Sequence, residues 1–405
     1  MFCINCGVEG VVNDFCDECS MEQTCEQLIT CYFHRGYPYE AIVKLLKRNG
    51  FNVSLRTLKR RLSTLGLKRR GNAVRIGRNE VRAAVLKEME GAGGLSGYRS
   101  IWHALRLRHK IHVPRREVAD LMKEIDPVGV EERRARKLRR RTFTSAGSNA
   151  SWHMDGYDKL KPYGFPIHGG IDGFSRKILW LEVSRSNNDP RVAATYYLNQ
   201  VKEVEGCPLQ LVTDCGTENG IAASMQCFFR SRDNDELAGE RSHRYCSSPS
   251  NQRIEAWWSF LRKHRSSWWI NLFKDMIDYD LLDLENGFHI ECLWFCFSKV
   301  LQNDLDKVKE QWNTHQVTKS QHNNVHGVPD IMYFLPEYHG HNECLVEVSQ
   351  EKIDEMEQHC HVDDPDESIY HEYFIYVMET EDLSYPNNER ESLELYERLV
   401  HLQRD

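Results

Sequence analysis

The chain has 405 residues, enough for two or three domains that each bury a core of their own. Its net charge of −7 and pI near 6.2 hide an asymmetry. Residues 35–141 carry roughly 29 Lys plus Arg against about 10 Asp plus Glu, so a phosphate-facing basic third sits beside a strongly acidic remainder. No stretch approaches the ~18 uninterrupted apolar residues of a membrane span, and no secretory leader pattern opens the sequence. The expectation is a soluble, intracellular protein with no membrane partner, whose 14 cysteines are thiols or zinc ligands rather than disulfides.

Residues 1–20 place Cys3, Cys6, Cys16 and Cys19 as two C-x2-C pairs. Each pair can present two thiolates to one tetrahedral zinc, and a segment this short needs the metal's binding free energy to fold. The alternative is a reduced leader whose cysteines have no structural role. Cys25, Cys31 and His34 fall within a helical pattern and are expected to face a core.

Residues 21–72 read as a helix-turn-helix. Tyr39 to Arg48 sets Ile42, Leu45 and Leu46 on one stripe, and Asn49 and Gly50 interrupt it. Ser54 then caps a helix bearing Leu55, Leu58 and Leu62. The opposite face of that helix carries Arg56, Lys59, Arg60 and Arg61, expected to contact DNA, with Lys68, Arg69 and Arg70 as trailing phosphate contacts. A second helical unit spans residues 75–130: Val81, Val85 and Met89 line one helix, Gly91 to Gly97 break it, and Tyr98–Leu107 and Pro114–Met122 follow. Arg115 and Arg116 open its last helix. Residues 131–147 form a linker whose RRARKLRRR run reads as a phosphate-binding or nuclear localisation patch.

Residues 148–338 hold three acids in three settings. Asp155 lies in SWHMDGYDKL, an alternating strand pattern; Asp214 closes a second strand, Leu209–Thr213, before a Cys-Gly turn. Glu255 follows a Ser250 or Asn251 cap, beside the Ile254, Trp258, Leu261 stripe of a helix. Two strand carboxylates and one helix carboxylate are the oxygen donors that a pair of hard divalent cations requires.

At these residues the sequence resembles the integrase core of retroviruses and retrotransposons, the DDE transposases of the ribonuclease H-like fold. WHMDGY is similar to the first-strand Trp-x-x-Asp block, and GGIDGFSRKILWLEV resembles the second and third strands with their Asp-x-Phe-Ser-Arg turn at Asp172 to Arg176. VTDCGTEN resembles the second-aspartate block. About 40 residues separate Asp214 from Glu255, more than the roughly 35 usual in that family, so an insertion is expected near Asp233 to Gly239. Gln311 to Pro336, with WNTH and GVPDIMY, resembles the tail that follows such cores. GYRSIWHALR followed by VPRREVADLMKE resembles the winged or helix-turn-helix module placed upstream of them.

The resemblance implies an α/β fold, a ribonuclease H-like mixed sheet flanked by helices, preceded by a small zinc module and all-α helix-turn-helix domains. It also implies DNA integration by a nuclear homo-oligomer acting on DNA. Asp155 and Asp214 would share one Mg2+ (or Mn2+), and Asp155 and Glu255 the second. Arg262 and Lys263, two turns beyond Glu255, would meet the phosphate backbone. Asp158, Asp172 and Glu218 are neighbouring acids able to take one of the three places. Two other classes use the same residues: a domesticated DNA-binding nuclear protein without activity, and a nuclease that cleaves without joining. His289, Cys292 and Cys296 share helical spacing and are expected in a core. Residues 339–405 read as an acidic region in which YHEYFIYVM argues against plain disorder.

Overall fold

The computed structural model describes residues 24–67, 77–127, 129–130, 145–247, 250–318, 325–360 and 368–403. Cys3, Cys6, Cys16, Cys19, Lys68 to Arg70 and the RRARKLRRR run lie outside them. The chain divides into two compact units. One takes the described residues up to 90, from 97 to the linker, and 314–339; the other takes 91–96, the residues after the linker up to 313, and those from 340 onward.

The first unit contains two sets of three helices. In the first set, α1 (Cys25–His34) begins with a capping box in which Thr24 and Gln27 satisfy each other's backbone amides. Next come α2 (Tyr39–Arg48), ended by Gly50 at φ +81°, and α3 (Leu55–Thr64). Ile29, Phe33, Ile42, Leu46 and Leu58 form its core. Cys25 joins that core, but Cys31 is exposed, a correction to the expectation that both face inward. The Ser54 hydroxyl accepts from the Thr57 amide at 3.2 Å. Ser54→Ala is expected to cost this unit about 1 kcal/mol, read as a lower urea midpoint of its helical signal.

The second set is α4 (Arg78–Met89), α5 (Tyr98–Leu107) and α6 (Arg115–Ile125), packed through Val81, Val85, Ile101, Leu105, Val118 and Met122. The segment expected as the tail of the core belongs here from Thr314 on. Val328, Ile331 and Leu335 enter the α1–α3 core, and the buried Tyr37 hydroxyl donates to Asp330 at 2.8 Å.

The second unit is built on a five-stranded mixed sheet. Its strands are β1 (Ser151–Tyr157), β2 (Ile167–Asp172), β3 (Ile178–Val183), β4 (Gln210–Thr213) and β5 (His243–Tyr245), in the order β3-β2-β1-β4-β5. β1–β2 and β2–β3 pair antiparallel; β1–β4 and β4–β5 pair parallel. The β2–β3 turn is held by the fully buried Asp172, whose carboxylate accepts from the Asn149 amide and from the amide and hydroxyl of Ser175. Helices α7 (Pro190–Val204) and α8 (Gly220–Phe229) follow β3 and β4.

Where an insertion is expected, near Asp233 to Gly239, the chain makes a turn organised by Arg230. Its side chain is fully buried, and its guanidinium binds the carboxylates of Asp233 and Asp235 and the Leu209 carbonyl. Beyond it, α9 (Gln252–Leu261) and α10 (Ser267–Asp278) are joined by a π-helical turn, Arg262–Ser266. The long α11 (Gly287–Thr314) follows, with Cys292 and Cys296 buried in the main core as expected. His289 is also buried, its Nδ1 facing the Tyr396 hydroxyl at 3.1 Å. The acidic C-terminal region is not a separate body. Its helices α14 (Ile369–Thr380) and α15 (Glu389–Gln403) add Phe374, Leu395, Tyr396 and Leu399 to the same core; the labels α12 and α13 denote Pro329–Phe334 in the first unit and Gln350–Glu357 here. Among the described residues no helix is long and apolar enough to cross a membrane.

Candidate active site

The sheet register brings the two aspartates side by side. β1 and β4 run parallel, with His153 opposite Val212 as their last registered pair. Two residues further along each chain stand Asp155, still in β1, and Asp214, just past the end of β4, so both come at the same end of neighbouring strands. Asp214 is oriented by its own turn: its Oδ1 accepts from Asn219 Nδ2 at 2.8 Å and from the Gly216 amide at 3.2 Å.

Glu255 arrives on α9, and that helix is tied to β1 at two points. Asn251 occupies the cap position but makes no side-chain cap hydrogen bond. Its Nδ2 instead donates to the Met154 carbonyl at 3.1 Å, and its Oδ1 faces His153 Nδ1 at 2.8 Å. Capping by Asn251 is therefore corrected to a strand-to-helix link. Because the Met154 carbonyl can only accept, the amide's orientation is fixed and His153 Nδ1 must carry the proton. The second tie is Trp258, whose Nε1 donates to Asp155 Oδ2 at 3.0 Å. Asn251, Glu255 and Trp258 follow one another at i, i+4 and i+7, so a single helix face meets β1.

The Asp155 carboxyl is raised to about 7, chiefly by burial and to a lesser degree by the Asp214 and Glu255 carboxylates, with the Trp258 hydrogen bond opposing the rise. The three acids therefore share one electrostatic neighbourhood. Burial likewise takes His153 down to about 4, so it is a neutral bridge at neutral pH.

The alternative acids are engaged elsewhere. Asp172 is the buried turn anchor already described, raised to about 6 by burial. Asp158 accepts from Asn187 and lies 3.6 Å from Lys161. Glu218 is folded against Gly216, where an added Cβ would collide with its carboxylate.

Among the described residues no group of three or more His, Cys, Asp or Glu side chains is disposed to hold one metal ion. A two-ion arrangement asks less of each ion's protein shell, because each would take two of the three carboxylates and complete its coordination from water or substrate. Three carboxylates supply only hard oxygen donors, the donor type that magnesium and manganese take.

Of the expected DNA contacts, Arg262 and Lys263 are exposed on the π turn. On α3, Arg56, Lys59 and Arg60 are exposed, whereas Arg61 is half-buried and pairs with Glu26 at 3.0 Å. Arg115 is exposed with its guanidinium over the Trp102 ring, 4.4 Å from the centroid, and Arg116 extends into solvent 3.9 Å from Asp120. Sequence reasoning missed Asn251, His153 and Trp258 as parts of the site.

Residues 142–331 match the family model of the integrase core domain. The match covers the sheet, both aspartates and the Glu255 helix, and it implies DNA binding and DNA transesterase chemistry for this region. No curated protein matches the chain.

Proposed function

We propose that the second unit catalyses metal-dependent cleavage and joining of DNA phosphodiesters, an integrase or transposase type of strand transfer. The observation that carries this reading is the Asp155 carboxyl, raised chiefly by burial and to a smaller degree by two other carboxylates that act on it, Asp214 just past the adjoining parallel strand and Glu255 on the helix tied to β1. Asp155 and Asp214 would hold one divalent cation, Asp155 and Glu255 the other. Bound there, such ions supply an activated water or 3′-hydroxyl and neutralise charge on the departing 3′-oxygen. The protein's own contribution is placement. Asn219 fixes the Asp214 carboxylate, Trp258 holds Asp155, and Asn251 pins the helix start beside them. Arg262 and Lys263, exposed on the π turn after Glu255, would meet the phosphate backbone.

In this reading the N-terminal helices supply most of the DNA affinity, through Arg56, Lys59, Arg60, Arg115 and Arg116; Arg61 is left out because Glu26 already neutralises it. Affinity for duplex DNA is expected to fall by about a thousandfold between roughly 50 and 200 mM salt, as released counterions return to the phosphates. A chain lacking residues 1–141 that bound as tightly as the whole protein would refute this division of labour.

The test of the reaction is incubation of the full chain with DNA oligonucleotides and Mg2+ or Mn2+. Joined products support strand transfer. Nicked products alone indicate a nuclease of the same site chemistry, and binding without either product leaves a DNA-binding protein.

A further inference from the structure

We infer that Trp258 is a positioning residue for Asp155: its indole N–H fixes the carboxylate that both cations of the proposed site must share. The inference rests on the reading of Asp155 given above and adds a residue to it. Three observations carry it.

The donor lies 3.0 Å from Asp155 Oδ2, and the indole is a donor only, so it can bind the carboxylate but cannot replace it as a ligand. The ring is also given a fixed seat. Gly169 on β2 is the registered partner of Asp155 on β1, and a Cβ at Gly169 would stand 2.7 Å from Trp258 Cη2. Glycine at that position lets the indole lie against the sheet, where its Nε1 reaches across to the neighbouring strand. Tyr157 packs against the same indole, its ring centroid 5.1 Å from that of Trp258.

The same helix face carries Glu255 one turn earlier and Asn251 one turn before that, with Asn251 bound to the residue preceding Asp155. The hydrogen bond from Trp258 and the link from Asn251 therefore bracket Glu255. They hold its helix at one height along β1. A shift of the helix by one residue would break both. Outer hydrogen bonds of this kind orient ligands, and their loss commonly weakens metal affinity about 10- to 100-fold.

The test uses the full-length protein labelled with 5-fluorotryptophan and two substitutions that reach the contact from opposite strands. Trp258→Phe removes the N–H but keeps a ring; Gly169→Ala leaves the indole and displaces it. The fluorine resonance missing from Trp258→Phe should shift in Asp155→Asn without any metal, and Mn2+ should broaden it in the wild type but not in Asp155→Asn. By calorimetry, Mn2+ affinity at the Asp155-dependent site should fall about tenfold or more in both Trp258→Phe and Gly169→Ala, at melting temperatures that show both to be folded.

A resonance unmoved by Asp155→Asn, or folded variants that bind Mn2+ like the wild type, would overturn the inference while leaving the catalytic reading in place. A resonance that shifts in Asp155→Asn but is never broadened by Mn2+ would instead overturn the catalytic reading, with the Trp258 contact standing as an element of the fold.

Discussion

Asp155→Asn and Asp214→Asn are each expected to lower Mg2+-dependent joining of DNA by on the order of a thousandfold or more, with duplex affinity nearly unchanged. An amide is close in shape to a carboxylate, so the substitutions remove charge and metal-ligating capacity without opening a cavity. In Asp155→Asn the amide oxygen can still accept from Trp258, and in Asp214→Asn it can still accept from Asn219. What is lost is the anionic oxygen that a cation needs. Because the carboxylates would act as a unit, the double variant should be scarcely worse than either single one. A strand-transfer assay beside a duplex-binding measurement separates the two effects. Joining by Asp155→Asn within a factor of ten of the wild type would sink the assignment.

Much of this site's framework was legible because it is local. Asp155 sits on a strand whose identity is written in WHMDGY, and the Asp214 turn is announced by Cys-Gly and closed by Asn219 within five residues. The helices of residues 39–48 and 55–64 were readable for the same reason: their apolar periodicity and the Ser54 cap are short-range signals.

What escaped was set by partners far away in sequence. His153 looks like the polar side of an alternating strand, yet it is 1% exposed, because a central strand is covered on both faces and Asn251 supplies the partner it needs. Trp258 belongs to a helical apolar stripe, and nothing in that spacing shows that its N–H meets a carboxylate 103 residues earlier in the chain. Arg61 and Arg115 belong to runs that look uniformly solvated, but Glu26 and the Trp102 ring engage them. The packing of Ile331 and Leu335 among the N-terminal helices is equally non-local and has no signature in the local sequence.

The second large effect concerns stability, and its sign is opposite to that of most substitutions of a half-buried polar residue. In metal-free buffer, Asp155→Asn is expected to make the core unit more stable at neutral pH. The folded carboxyl is raised from 3.8 to about 7, first by burial and then by Asp214 and Glu255. Between about pH 4 and pH 7 the unfolded chain has released this proton while the folded chain retains it, so stability falls as pH rises through that window. Below pH 4 both states are protonated and the penalty is absent; above pH 7 it is complete. Asp172 and Glu182, raised to about 6 and about 7, are present in both proteins and cancel in the comparison. Discounted for partial exposure and solvent screening, the gain for the variant should be on the order of 2 kcal/mol at pH 7.5 and near zero at pH 4. Tryptophan fluorescence in urea reports it, since all of the nine tryptophans except Trp102 lie in the core unit. Added Mg2+ should narrow the gap, because a cation that binds the folded wild type offsets the carboxylate repulsion that Asp155→Asn relieves. A difference between the two proteins that stays constant from pH 4 to pH 8 would show that Asp155 ionises freely, and the crowded carboxylate site would lose its physical basis.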